Sequence, residues 1–573
     1  MKRCTMLRWF FRCLAVALGL GQFILGRNTV GPDSRSYLEL ARAILRHDWA
    51  MTINAYWSAL YPWMLAAMIG IFKPSLRWEF PAAHALSLPL LLVCMASFEF
   101  FWFALLQFRE SVSVRLLPSS SPIPPAQMWV LGYSMFIWLT VGDLLLPINP
   151  DMYLFAIILL AAGLLLRIEL AAGARASLYI WFGICLGVGY LVKAIFFPMA
   201  FVFLAMMIAV SPRPWANHKR YFALTLLIFT LLVSPQIALL SHAKGRPTFS
   251  DTGKLAFAWY TYGLPLRNWQ GQPAGSGTPA HPTRKLYDHP AVYEFNGPIQ
   301  ASYPPWQDPS YWNEGLSPAF KFGTVARHAL RGTIELGLIL LQPRLWAIGI
   351  FLILLGCVPR ETFKGIAAYW HLIAITAAVS GLYALTLMQS RYLAPWELLF
   401  WGAVLAGVRL RRSTAPLSLW VTALVSLGMV ASLARLEYGE SIHGFHNDGS
   451  AEYLTAEGLK QMGLRPGEKV GAIGFDNDAH WAYLARLNVV AEINTDETCL
   501  FWSEPPEIQT QILEKLAQAG AGVVVANMGG GIRTTSRAVP IDLGKCALGA
   551  GSAWLPVPGT PNRAFFLTAR REN

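Results

Sequence analysis

A dozen apolar runs, separated by short loops that carry most of the basic residues, constrain this chain more than any other feature. The first spans Cys13 to Gly26. Others follow at 57–72, 81–108, 128–146, 152–166, 177–192, 194–210, 222–240, 333–357, 366–387, 396–408 and 417–434. Runs of this length and density satisfy their backbone groups only as helices crossing a bilayer, although several fall short of the ~20 residues a crossing needs. Eleven to thirteen crossings are expected. Composition agrees, with 14% charged residues, 55% apolar residues and a mean hydropathy of +0.41. A purely soluble enzyme, a disordered chain and a secreted disulfide scaffold are excluded.

The net charge of +13 is unevenly placed. From Arg435 onward there are 12 Lys/Arg and 16 Asp/Glu, so the first 434 residues hold 34 Lys/Arg and 17 Asp/Glu. That surplus orients spans rather than binding nucleic acid. Lys2, Arg3, Arg8 and Arg12 place the N-terminus in the cytoplasm, ahead of a retained first helix rather than a signal peptide. Basic loops at 213–220, 360–364 and 409–412 are then cytoplasmic. The loop 27–56, the loop 241–332, the turn before Pro395 and everything after Arg435 are outside. One conflict remains: six runs lie between the outside loop at 27–56 and the inside loop at 213–220, where an odd number is required. Hydropathy therefore leaves the side of Asp151 open.

Two bodies are expected: a membrane domain over 1–434 and a soluble extracytoplasmic α/β domain over 435–573. In the tail, strands at 469–474, 488–493 and 521–527 alternate with helices at 477–486 and 505–519, which argues for a largely parallel sheet. Gly529-Gly530-Gly531 reads as an ordinary loop or, less specifically, a phosphate loop. The loop 241–332 is rich in Trp and Tyr and is expected to be ordered over the membrane face. Tyr37, Leu38, Ala41, Ile44 and Leu45 share one helical face, with Arg35, Glu39, Arg42 and Arg46 opposite, as in a helix lying in the membrane interface. The seven cysteines show no metal-ligand spacing; Cys499 and Cys546, in the polar tail, are either a disulfide or two free thiols.

Candidate chemistry gathers at run ends. Asp33 lies where a lipid headgroup would sit; it can take a proton from a hydroxyl, hold a metal ion, or share with Ser34 the role of helix cap. Asp151 either caps the helix it opens or acts beside Asp33. Lys193 is an interface anchor or a phosphate ligand. Arg391, next to Tyr392, stands on the outside against the positive-inside trend, and a guanidinium grips phosphate through paired donors.

Pro32-Asp33-x-x-x-Tyr37-x-x-x-Ala41 after one span, Tyr61-Pro62, Pro150-Asp151, Gly187/Gly189 with Lys193, and Arg391-Tyr392 with Pro395 occur in an order that resembles the GT-C superfamily of polyprenyl-phosphate-sugar-dependent glycosyltransferases. The most similar class is that of protein O-mannosyltransferases and the bacterial lipid A aminoarabinose transferase. The resemblance implies a polytopic helical enzyme of a bacterial inner membrane. It would move a sugar from a polyprenyl-phosphate donor to a lipid, glycan or protein acceptor on the extracytoplasmic face, with inversion. It also implies Asp33 as base or metal-assisting carboxylate, Asp151 on the same side, and Lys193, Arg391 and Tyr392 at the phosphate. Ser34 stands where many relatives carry Glu, so a divalent metal ion is one alternative and direct base action the other. The competing classes are a transporter or polyprenyl-lipid flippase without chemistry, and a scaffold that displays the tail.

Overall fold

The computed structural model describes residues 2–116, 121–171, 175–211, 218–295, 297–411, 415–444, 450–529 and 553–567. The chain folds as a helical bundle carrying an α/β unit at one end. The bundle runs α1 (Lys2–Gly26), α2 (Pro32–Leu45), α3 (Leu60–Phe72), α4 (Glu79–Ala85), α5 (Ser87–Leu116), α6 (Pro125–Ile137), α7 (Asp151–Leu170), α8 (Ala176–Val192), α9 (Phe196–Val210) and α10 (Lys219–Ala243). After the long loop come α11 (Phe322–Leu340), α12 (Arg344–Leu355), α13 (Pro359–Ala367), α14 (Trp370–Ala384), α15 (Ser390–Gly407) and α16 (Ala415–Gly444). Among the described residues, five helices are long and apolar enough to cross a bilayer, or seven if each of two bent pairs is one span. Three shorter apolar helices, α3, α8 and α9, accompany them. Packing is tight where α8 turns into α9: a Cβ on Gly189 would come within 2.3 Å of the Phe196 ring, so the glycine lets the two helices meet just beside Lys193.

The crossing conflict resolves at the run 57–72. Helix α3 is about 20 Å long, too short for a ~30 Å hydrocarbon core. Glu79, which follows it, is fully buried between Arg42 of α2 and Arg486 of the α/β unit, at 2.6 and 2.5 Å. Both ends of α3 thus lie at the end of the bundle that carries that unit. Five runs remain before the loop at 213–220, and Asp151 falls on the same side as Asp33.

Helix α2 forms as its sequence dictates. Gly31 is the N-cap and Pro32 occupies the first turn, where a missing N–H costs nothing. Neither Asp33 nor Ser34 caps it. Its polar face, expected in the membrane interface, is instead buried under the loop 241–332 and the α/β unit. Arg35 donates to the Asn477 carbonyl at 2.5 Å, Ser36 to the Trp306 carbonyl at 2.9 Å, and Glu39 accepts from the Ser302 N–H at 2.9 Å. A tail some 400 positions away closes over the helix, and no local pattern signals that.

The α/β unit holds one seven-stranded sheet. Its strands are β1 (Arg284–Tyr287), β2 (Val292–Glu294), β3 (Lys469–Ile473), β4 (Asn488–Ile493), β5 (Val523–Ala526), β6 (Leu555–Pro556) and β7 (Arg563–Phe566), in the order β1-β2-β4-β3-β5-β7-β6. Only β4-β3-β5 are parallel; the other pairings are antiparallel. The sheet is therefore mixed rather than largely parallel, because the alternation in the tail reports only the three central strands. The outer two on one side come from the loop 241–332, with Tyr293 opposite Glu492. That loop and the tail fold together. Cys499 is disulfide-bonded, while Cys546, Gly530 and Gly531 lie outside the described residues.

Candidate functional site

Four charged side chains from four separated segments meet where the bundle joins the α/β unit. Asp33 stands in the first turn of α2, and Asp151 is the first residue of α7. Lys193 occupies the extended break after α8, and Arg391 opens α15. Breaks at this depth hold charge where continuous helices would expose only apolar side chains.

Asp151 is almost fully buried, and its backbone N–H donates to Asn149 at 2.9 Å rather than its side chain capping α7. One carboxylate oxygen takes Lys193 Nζ at 2.5 Å and the other faces Arg391 Nε at 3.8 Å. Arg391 Nε also donates to Gln389 at 2.8 Å, and its Nη2 reaches the Tyr392 hydroxyl at 3.1 Å and Asp33 at 3.4 Å. The second oxygen of Asp33 accepts from the Trp306 indole at 3.2 Å. Lys193 Nζ lies 3.9 Å from the centre of the Tyr392 ring, a cation–π contact that adds to its hold. The row therefore reads Asp33, Arg391, Asp151, Lys193, alternating in sign.

Asp33, Lys193, Arg391 and Tyr392 all line a cavity of about 1080 Å³. Its remaining wall is of two kinds. Leu146, Ile195, Leu382 and Leu387 make an apolar side from the helices, while Tyr260, Trp306 and Asn477 make an aromatic and polar side from the loop and the α/β unit. Asn477 thus brings the α/β unit to the rim. Its neighbour Asp478 is pushed up to about 6 by burial, with Arg35 pulling it back.

All five residues singled out in the sequence come together here. Trp306, Gln389, Tyr260 and Asn477 join them. Trp306 and Tyr260 are masked in the sequence by the many aromatics of the loop, any of which would suit a membrane interface. Gln389 and Asn477 carry no local signal. The donor set does not fit a resident divalent ion: each carboxylate already faces a cation, and the site as a whole is neutral. Among the described residues, no three His, Cys, Asp or Glu side chains converge on one point.

No family model matches the chain, and no curated protein matches it by sequence. Solved structures do match by fold. ArnT from Cupriavidus metallidurans bound to undecaprenyl phosphate is 12% identical, over 90% of this chain and 92% of that one, with a TM-score of 0.43. The Archaeoglobus fulgidus oligosaccharyltransferase in complex with zinc and sulfate is 11% identical, over 90% and 68%, with a TM-score of 0.45. AglB from the same organism, with an inhibitory peptide and a dolichol-phosphate, is 11% identical, over 91% and 69%, with a TM-score of 0.40. The chain is similar to each of these proteins over about nine-tenths of its length.

Proposed function

We propose that this chain is a glycosyltransferase that takes a sugar from a polyprenyl-phosphate donor and passes it, with inversion, to an acceptor on the extracytoplasmic face. The observation that carries the reading is that Asp33, Lys193 and Arg391 line one cavity, with Asp33 3.4 Å from Arg391. The apolar wall from Leu146 to Leu387 accommodates a prenyl chain, and the aromatic and polar wall accommodates sugar rings.

Charge bookkeeping supports the roles. A sugar attached through a phosphodiester brings one negative charge. As an acceptor hydroxyl attacks the anomeric carbon, Asp33 takes its proton, and the C–O bond to the phosphate breaks through an oxocarbenium-like sugar. The carboxylate becomes neutral and the departing polyprenyl phosphate becomes a dianion, so one negative charge moves from Asp33 toward the cations. Arg391 is then released from Asp33 as the phosphate needs it, and Lys193 offers its remaining N–H donors. Attack on the face of the sugar opposite the phosphate inverts the anomeric centre. Asp151, buried against Lys193, positions the cations rather than meeting substrate.

The test is transfer from a panel of radiolabelled polyprenyl-phosphate sugars into membrane extract, with wild type beside Asp33→Asn. Label reaching an acceptor with wild type alone is the expected result. Full transfer by the variant would remove Asp33 as base. Movement of polyprenyl lipid across vesicles, with no transfer from any donor, would favour the flippase.

A further inference from the structure

The bundle holds a second cavity, of about 810 Å³, between α1 and α5. It is remote from Asp33. Along α1, Arg12 lies about 21 Å from Gly26, and along α7, Arg167 lies about 24 Å from Asp151. This depth is close to the far boundary of a ~30 Å hydrocarbon core, at the headgroups of the other leaflet.

The cavity is polar at one end and apolar at the other. Arg12, Glu99 and Arg167 line the polar end; Leu20 of α1 and Leu92 of α5 line the rest. The polar end has too few acids for its bases. Arg12 donates to Glu99 from Nε and Nη2 at 2.8 and 2.6 Å, and Arg8 and Tyr133 bond the same carboxylate. Arg167 enters no ion pair among the described residues. Its Nε is buried without a hydrogen-bond partner, and its guanidinium lies over the Phe100 ring at 4.0 Å. Arg8 and Arg12 thus share one carboxylate and Arg167 pairs with none among the described residues, which leaves two positive charges in excess at headgroup depth.

We propose that this cleft binds one anionic glycerophospholipid of the leaflet opposite the transfer site. Its phosphate accepts from Arg12 and Arg167, and an acyl chain runs along Leu20 and Leu92. Guanidinium is suited to phosphate, and basic clefts between spans hold lipid headgroups in this way. The excess of two positive charges selects a lipid of net negative charge over a zwitterionic one. The inference is independent of glycosyl transfer.

The experiment is native mass spectrometry of the delipidated full chain, titrated with phosphatidylglycerol or phosphatidylcholine. Wild type should retain one phosphatidylglycerol with about tenfold preference, a difference of about 1.4 kcal/mol, and Arg167→Gln should lose that preference. A second readout leaves the arginines intact. Cys13 is exposed and lines the same cleft, so in a Cys4→Ser background its alkylation should be slowed by phosphatidylglycerol and not by phosphatidylcholine. Equal retention of the two lipids, an unchanged preference in Arg167→Gln, or unprotected Cys13 would each overturn the proposal. Displacement of phosphatidylglycerol by an equimolar polyprenyl phosphate would overturn the choice of lipid.

Discussion

Asp33 and Arg391 are 358 positions apart in the chain and meet at 3.4 Å on the wall of the main cavity. The contact is long for a salt bridge, and the same guanidinium is held more closely through its Nε by Gln389 at 2.8 Å. Arg391 is thus fixed in orientation by a neutral partner while its tie to the proposed base stays loose enough to exchange for phosphate.

This arrangement uses the planar fork of the guanidinium and not only its charge. Arg391→Lys is expected to lose nearly as much as Arg391→Gln, each lowering kcat/KM for the lipid-linked donor by about 100-fold, or about 2.7 kcal/mol. Steady-state kinetics with a soluble short-chain donor measures this. Near-normal transfer by the Lys variant would show that a point charge suffices.

Lys193 and Asp151 form the tightest pair of the site, with the carboxylate almost fully enclosed. Removing only the cation leaves a buried charge with only the more distant Arg391, at 3.8 Å, to balance it. Lys193→Met should therefore cost about 3 kcal/mol of stability, and adding Asp151→Asn should restore most of it. Thermal unfolding in detergent of the two single variants and the double variant measures the coupling. Purely additive losses would mean that the pair does not act as a unit. Transfer should remain lost in the double variant, because Lys193 is needed at the phosphate.

Asp33, Asp151, Lys193 and Arg391 were legible in the sequence for one reason: each is a charge at the end of an apolar run, where charge is expensive. Helix α2 was legible too, since its apolar residues recur at helical spacing. Its burial was not. Arg35, Ser36 and Glu39 look like a solvated face until the chain near Ser302 and Asn477 is brought over them, and that contact depends on folding across hundreds of residues. For the same reason β1 and β2 are hidden in the aromatic loop. The run Val292 to Glu294 is only three residues long, too short to stand out as a strand, and it becomes one by pairing with β4. The crossing conflict was visible as arithmetic, but only the Glu79–Arg486 pair shows which run stays on one side.

The same charges bear on metal dependence. Asp33 faces Arg391, and Asp151 faces Lys193 and Arg391, so a divalent cation would have to displace an internal cation to gain a carboxylate. Transfer is expected to continue at an unchanged rate in excess EDTA. A loss that added magnesium, manganese or zinc reverses would assign a metal to Asp33 and remove the neutral-site argument.

The α/β unit carries a pH-dependent liability at Glu492 on β4. The residue is fully buried, and its carboxylate accepts from the Tyr303 hydroxyl at 2.8 Å and the Asn268 amide at 3.3 Å. Burial pushes the carboxyl from 4.5 up to about 7, with the nearby Arg267 pulling it back. An acid raised in the folded state stabilises the fold fully below its unfolded value, and that contribution is lost as pH rises through its folded value. Glu492→Gln keeps the acceptor for Tyr303 and removes the ionisation. The variant should melt close to wild type near pH 5 and above it near pH 8, as read by differential scanning fluorimetry in detergent. A wild type that gains on the variant as pH rises would mean that Arg267 outweighs burial and that Glu492 is held as a charged partner.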